Sequence, residues 1–199
     1  MRCMATLLKP TEGMICVGGA DTVREGEEVR KRIGFLTNEI KLDPQFRLRY
    51  LVRFFGLLHG MKEEEIEKRK KELFERFGIM DFQDKLIEEL STGMKQKAAI
   101  AVSLIHDPEV IIFDEPTSGL DIITARAVTD YLLELKKQGK TIIISTHIMS
   151  EAEKFCDRIA IIMDGKIMME GTLEKILQKT KQNDLEDAFF SMYQEKLEK

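Results

Sequence analysis

Hydrophobic positions along the chain follow two rhythms. Short apolar runs, mostly β-branched, mark strands at Met14 to Val17, Arg32 to Leu36, Val110 to Phe113, Thr141 to Ser145, Arg158 to Met163 and Lys166 to Glu170. Asp164-Gly165 between the last two is a strong hairpin signal. The other rhythm is helical. Tyr50, Leu51, Phe54, Phe55 and Leu58 recur at three- and four-residue intervals, as one buried helical face would, and Gly60 ends that helix. Met61 to Phe77 reads as a second helix, with Ile66, Leu73, Phe74 and Phe77 as its apolar side. Further helices are predicted at Glu25 to Arg30, Lys97 to His106, Ile123 to Gln138 (stopped by Gly139), Ser150 to Cys156 (capped by Ser150), Leu173 to Leu177 and Leu185 to Leu197. Met1 to Leu8 reads as the tail of a helix. Strands alternating with helices predict an α/β fold, a mostly parallel sheet with right-handed crossovers. An antiparallel β addition at residues 14–36 and a helical subdomain at about 45–90 are inserted in a single domain spanning 1–199.

Charge refines this picture. Acid and base alternate from Lys62 to Lys71, with Glu64–Lys68, Glu65–Arg69 and Glu67–Lys71 at helical spacing, so a solvated face explains the segment better than a basic arm. The 31 basic and 35 acidic residues leave a net charge of −4, which argues against a broad nucleic-acid surface. Cys3, Cys16 and Cys156 lack metal-site spacing and read as small apolar residues in a reducing compartment. His59, His106 and His147 form no short-range metal pattern. No apolar stretch approaches the roughly 20 residues of a membrane-spanning helix, and Met1 to Ala5 lacks a signal peptide's apolar region. The chain is therefore expected to be soluble, any membrane role coming through a partner.

Candidate chemistry stands at two places. Asp114 and Glu115 follow the Val110–Phe113 run directly, where the strand leaves the sheet, and Pro116, Ser118 and Gly119 turn the chain away. Ligands of open parallel sheets bind at the carboxyl ends of strands. One carboxylate there can hold magnesium while its neighbour orients an attacking water; the plainer reading is two polar residues at a strand end. Leu90-Ser91-Thr92-Gly93-Met94-Lys95-Gln96 precedes a helix, so Ser91 can cap it and its free N–H groups can attract an anion. An ordinary N-cap explains that segment equally. Thr146-His147 sits at the exit of another strand.

In this order the motifs resemble those of the ATP-binding cassette (ABC) family. Leu90-Ser91-Thr92-Gly93 resembles its signature motif, and Ile112-Phe113-Asp114-Glu115 its Walker B strand and following glutamate. Ser118-Gly119-Leu120-Asp121 is similar to the D-loop, and Ser145-Thr146-His147 to the switch-histidine loop. Leu90 to Lys97 is worded most like bacterial exporter cassettes of the sodium-extruding Nat type. The resemblance implies a P-loop NTPase-like fold with ATP and Mg2+ as ligands. Asp114 would hold magnesium, Glu115 would orient water, His147 would contact the γ-phosphate and Asp121 would couple two sites across a dimer. Ser91 and Gly93, with Thr92, Met94, Lys95, Gln96 and Ser118 around them, would close on nucleotide bound by the opposite subunit. It also implies a transmembrane permease partner docked near 45–90, a second cassette, no nucleic acid, and a place on the cytoplasmic face of the membrane.

Two departures stand out. Asn38 occupies a position where the family usually carries glutamine that senses the metal, and its side chain is one methylene shorter. The phosphate-cradling G-x-x-x-x-G-K-[S/T] occurs nowhere in the sequence, which begins just past the place where the family has it, so a cassette missing its first strand and phosphate loop is expected. Charge-assisted hydrogen bonds contribute roughly 1.5–3 kcal/mol each, so losing several predicts weak binding of ATP. Three readings follow: an ATP-driven export subunit, a non-catalytic partner lending its signature to an intact cassette, and a soluble cassette outside transport.

Overall fold

The structure is a computed structural model and describes residues 1–37 and 42–197. Its internal contacts fall into two compact units, Met1–Ser145 and Thr146–Lys199.

The first unit opens without the expected helix. Residues 1–8 form turns, with Thr6 at φ 62°, a backbone setting that breaks a right-handed helical run. Ala5 is nevertheless buried in a cluster with Val29, Ile33 and Ile112. A short antiparallel pair follows, β1 (Cys16–Val17) with β2 (Ala20–Asp21), and then α1 (Gly26–Arg32). Next comes β3 (Ile33–Leu36), whose Gly34 approaches α4 (Thr92–Leu104) so closely that an added Cβ would stand 2.7 Å from the Ser103 carbonyl oxygen. Between β3 and α4 the helical insert holds α2 (Leu48–Leu58) and α3 (Glu63–Phe77). The sheet is completed by β4 (Val110–Asp114) and, after α5 (Ile122–Lys137), β5 (Thr141–Ser145). Strand order is β3-β4-β5, all parallel. The central strand is buried from Val110 to Phe113, as its continuous apolar run requires, and the largest core packs Leu36, Phe113 and Leu135 with the insert's Val52 and Phe74.

Two expectations for the insert change. Its buried α2 face is Leu48, Leu51, Val52 and Gly56, whereas Tyr50, Phe54 and Leu58 are 55%, 57% and 67% exposed. The helix is apolar on two sides, and the Gly56 side wins because it lets α3 in: a Cβ there would lie 2.6 Å from Ile66. On α3 the ion pairs are Lys70–Glu67, Arg69–Glu72 and Lys71–Glu75. Glu65 is occupied otherwise, accepting the Lys62 backbone N–H at 2.8 Å at the helix start.

In the second unit, α6 (Met149–Phe155) begins one residue before Ser150, which lies inside the helix and does not cap it; just ahead of the helix the Thr146 hydroxyl accepts the Ile148 N–H at 3.0 Å. The antiparallel pair β6 (Ile159–Met163) and β7 (Lys166–Gly171) turns through Asp164 and Gly165 at φ 47° and 73°, the left-handed pair a two-residue hairpin needs. It packs with α7 (Leu173–Thr180) and α8 (Leu185–Leu197) around Ile161, Ile176 and Ala188.

Candidate functional site

The parallel register places Asp114, the last residue of β4, opposite Ser145, the last of β5. The Ser145 hydroxyl donates to Asp114 Oδ1, and the Ser145 carbonyl accepts the Glu115 N–H at 3.0 Å. Glu115 turns out of the sheet at φ 50°, a left-handed setting that a side-chain-bearing residue adopts at a cost and that recurs at functional sites. Both carboxylates are half-buried at the carboxyl end of the sheet. A tight turn follows, in which the Ser118 N–H donates to the Glu115 carbonyl at 3.1 Å and Gly119 takes φ 73°.

That turn lies against the start of α4. The Gln96 amide donates to the Pro116 carbonyl at 3.3 Å, and Gly93 faces the Gly119 carbonyl, 3.7 Å from where a Cβ would stand. Ser91 caps α4, its hydroxyl accepting the Met94 N–H at 3.3 Å. Ser91, Thr92 and Lys95 are exposed, while Gly93, Met94 and Gln96 are half-buried. Capping and anion attraction are compatible here, because a helix start has four unpaired N–H groups and one hydroxyl satisfies a single one.

Asp121 caps α5. Its Oδ1 accepts the N–H groups of Ile123 and Thr124 at 3.1 and 2.9 Å, and its Oδ2 accepts the Thr124 hydroxyl at 2.6 Å. The Thr124 hydroxyl and these N–H groups hold its carboxyl below the usual range. Beside it Ile122 and Ile123 are 86% and 79% exposed.

The structure thus gathers Asp114, Glu115, Ser118, Thr92, Gly93 and Gln96 around one turn, with Asp121 starting the next helix. His147 is exposed and belongs to the second unit, two residues beyond β5. Asn38 lies outside the described residues. Sequence reasoning placed Ser145 only at a strand end before His147 and missed its bond to Asp114, which spans 31 residues and which only the pairing register reveals.

Comparison with known proteins shows the family and the fold. A family model described as ABC transporter matches residues 1–118. The ABC transporter ATP-binding protein NatA of Bacillus subtilis is 40% identical over 192 residues, covering 96% of this chain and 78% of that protein. Three further curated relatives, 37–41% identical, are matched over only 57–64% of their own length. A structure titled as the ATP-binding subunit of an ABC transporter superposes with a TM-score of 0.91 at 27% identity, covering 96% of this chain and 81% of the other. The dimeric, post-hydrolysis ATP-binding cassette MJ0796 bound to ADP and Pi superposes with a TM-score of 0.76 at 28% identity, covering 86% and 78%.

Proposed function

Because the chain belongs to the ABC transporter family, we propose that it is the ATP-binding, ATP-hydrolysing subunit of an exporter and drives a membrane-embedded partner. The observation that carries this is the cluster at one turn of two strand-end carboxylates and a capped, exposed helix start.

Each residue then has a task. Asp114 offers a hard anionic oxygen and would hold Mg2+. A single carboxylate fits that ion, which takes one or two protein carboxylates and completes its shell with phosphates and water. When bound, Mg2+ neutralises charge developing on the β- and γ-phosphates. Glu115 orients the attacking water and accepts its proton; a positioned base of this kind contributes about 10²–10⁴-fold. His147 contacts the γ-phosphate, and Asn38 takes, in sequence, the place of the family's metal-sensing glutamine. Ser91, Thr92, Gly93 and Met94 present hydroxyl and N–H donors to the phosphates of a nucleotide held by a second cassette. Lys95, Gln96 and Ser118 frame that surface, and Asp121 carries the state of one site to the other across the dimer. The dimeric ADP-and-Pi-bound relative supports pairing and nucleotide use.

The permease docks on the helical insert, where exposed Tyr50, Phe54, Leu57 and Leu58 give α2 a solvent-facing apolar side. The subunit works on the cytoplasmic face of the membrane through that partner, without nucleic acid. Among the described residues no helix is long and apolar enough to cross a membrane. The Nat-like wording of Leu90 to Lys97 points to export, of sodium or a drug.

The exposed α4 start also supports a second reading, a partner lending its signature to an intact cassette. The chain recovered from membranes with its bound partners should hydrolyse ATP, and Ser91→Arg should abolish the activity by blocking the closed dimer. A recovered complex without ATPase activity, or with Ser91→Arg as active as wild type, overturns the shared-site reading.

A further inference from the structure

We propose that Ser145 is a positioning residue for the metal-holding carboxylate, its hydroxyl fixing the orientation in which Asp114 meets a divalent cation. This rests on the reading of Asp114 given above.

The argument starts from what an aspartate at a strand end lacks. Its carboxylate turns about a broad, nearly two-fold torsion, so the backbone alone does not decide which way the oxygens face. In this chain the decision comes from the neighbouring strand. β5 is apolar from Ile142 to Ile144 and changes character only at Ser145, the residue that the parallel register sets opposite Asp114. The Ser145 hydroxyl donates to Oδ1, which fixes the plane of the carboxylate and so the direction of Oδ2. The Glu115 N–H bonds the Ser145 carbonyl at 3.0 Å, so the β4–β5 ladder continues one residue past Asp114 and holds the two strand ends in register. Ser145 is half-buried, as are Asp114 and Glu115. A donor on one oxygen of a metal-binding carboxylate commonly accounts for 10–100-fold in metal affinity.

A plainer role for Ser145, ending a strand with a small polar residue, predicts something different. In that case any small side chain would serve, with or without a strong donor.

The test uses the complex recovered from membranes, a hydrolysis-resistant ATP analogue and Mn2+ as the probe, with bound Mn2+ read by electron paramagnetic resonance. Asp114→Asn should lose the protein-bound signal. Ser145→Ala and Ser145→Cys should weaken Mn2+ about 10-fold or more, while Ser145→Thr, which keeps the hydroxyl, should stay within about 3-fold of wild type. Thermal unfolding of each variant reports folding separately, and Cys keeps the comparison alive should Ala unfold. If Asp114→Asn loses the signal but Ser145→Ala and Ser145→Cys match wild type, the positioning role is wrong and the metal reading stands. If Ser145→Thr weakens binding as much as Ala, the hydroxyl is not the cause. If Asp114→Asn binds Mn2+ like wild type, the metal reading itself fails and the proposal with it.

Discussion

Histidine 106 shows how a residue with no part in the site carries a readable pH dependence. Its Nε2 bonds the Ile33 carbonyl at 3.0 Å and its ring stacks on His59, with centroids 3.7 Å apart and planes 5° from parallel. Burial, then the neighbouring His59, pushes its pKa down from 6.5 to about 4, with Arg69 adding to the effect; the Ile33 carbonyl and Asp107 pull the other way. The folded state therefore takes up this proton less readily than the unfolded chain. Its contribution is fully present above about pH 6.5 and is lost as pH falls toward 4, amounting to roughly 2–3 kcal/mol. Urea unfolding between pH 7 and 4.5 should show His106→Gln losing that much less stability than wild type over the same range; parallel curves would contradict it. Neither the stack nor the bond was legible in a sequence where the two histidines lie 47 residues apart. The bond from Ser145 to Asp114 escaped notice for the same reason. Asp121 was legible as a residue of interest, but the structure adds a cap to the coupling role assigned to it.

At the scale of elements, the sequence pattern found the α-helices and, β2 apart, the strands, and placed most of their ends within two residues. It chose the wrong face of α2, because a helix with apolar residues on two sides gives no internal sign of which one meets the core. The deciding contact, Gly56 against Ile66, is tertiary. Replacing Phe54 and Leu58 by Gln should leave stability within about 0.5 kcal/mol, as surface changes usually do, while reducing co-recovery of the membrane partner. A marked loss of stability would return this face to the core. The close approach of β3 to α4 leads to a second expectation. Gly34→Ala sets a methyl against the Ser103 carbonyl and Pro108, which have no flexible end to move, and should cost about 1–3 kcal/mol in chemical denaturation. Residues 1–8 run in turns where a helix was expected: Ala5 is buried with Met1 and Met4 packed beside it, while Leu7 and Leu8 are exposed, since a short apolar run does not by itself choose a conformation.

For the whole molecule, the decisive information was the order of several short motifs, none sufficient alone. That order was fully legible, and the family match over residues 1–118 and the 0.91 superposition agree with it. What the order does not contain is the pairing register, which joins Asp114 to Ser145, and the packing of Gln96 and Gly93 against the Pro116–Gly119 turn. The central claim is that this turn is the hydrolytic edge of a nucleotide site shared with a second cassette. Glu115→Gln tests it most directly, since the substitution keeps shape and removes the proton acceptor. In the complex recovered from membranes the account predicts ATP turnover lowered by about 10²-fold or more, with binding of the hydrolysis-resistant analogue retained. Turnover unchanged by Glu115→Gln would contradict it.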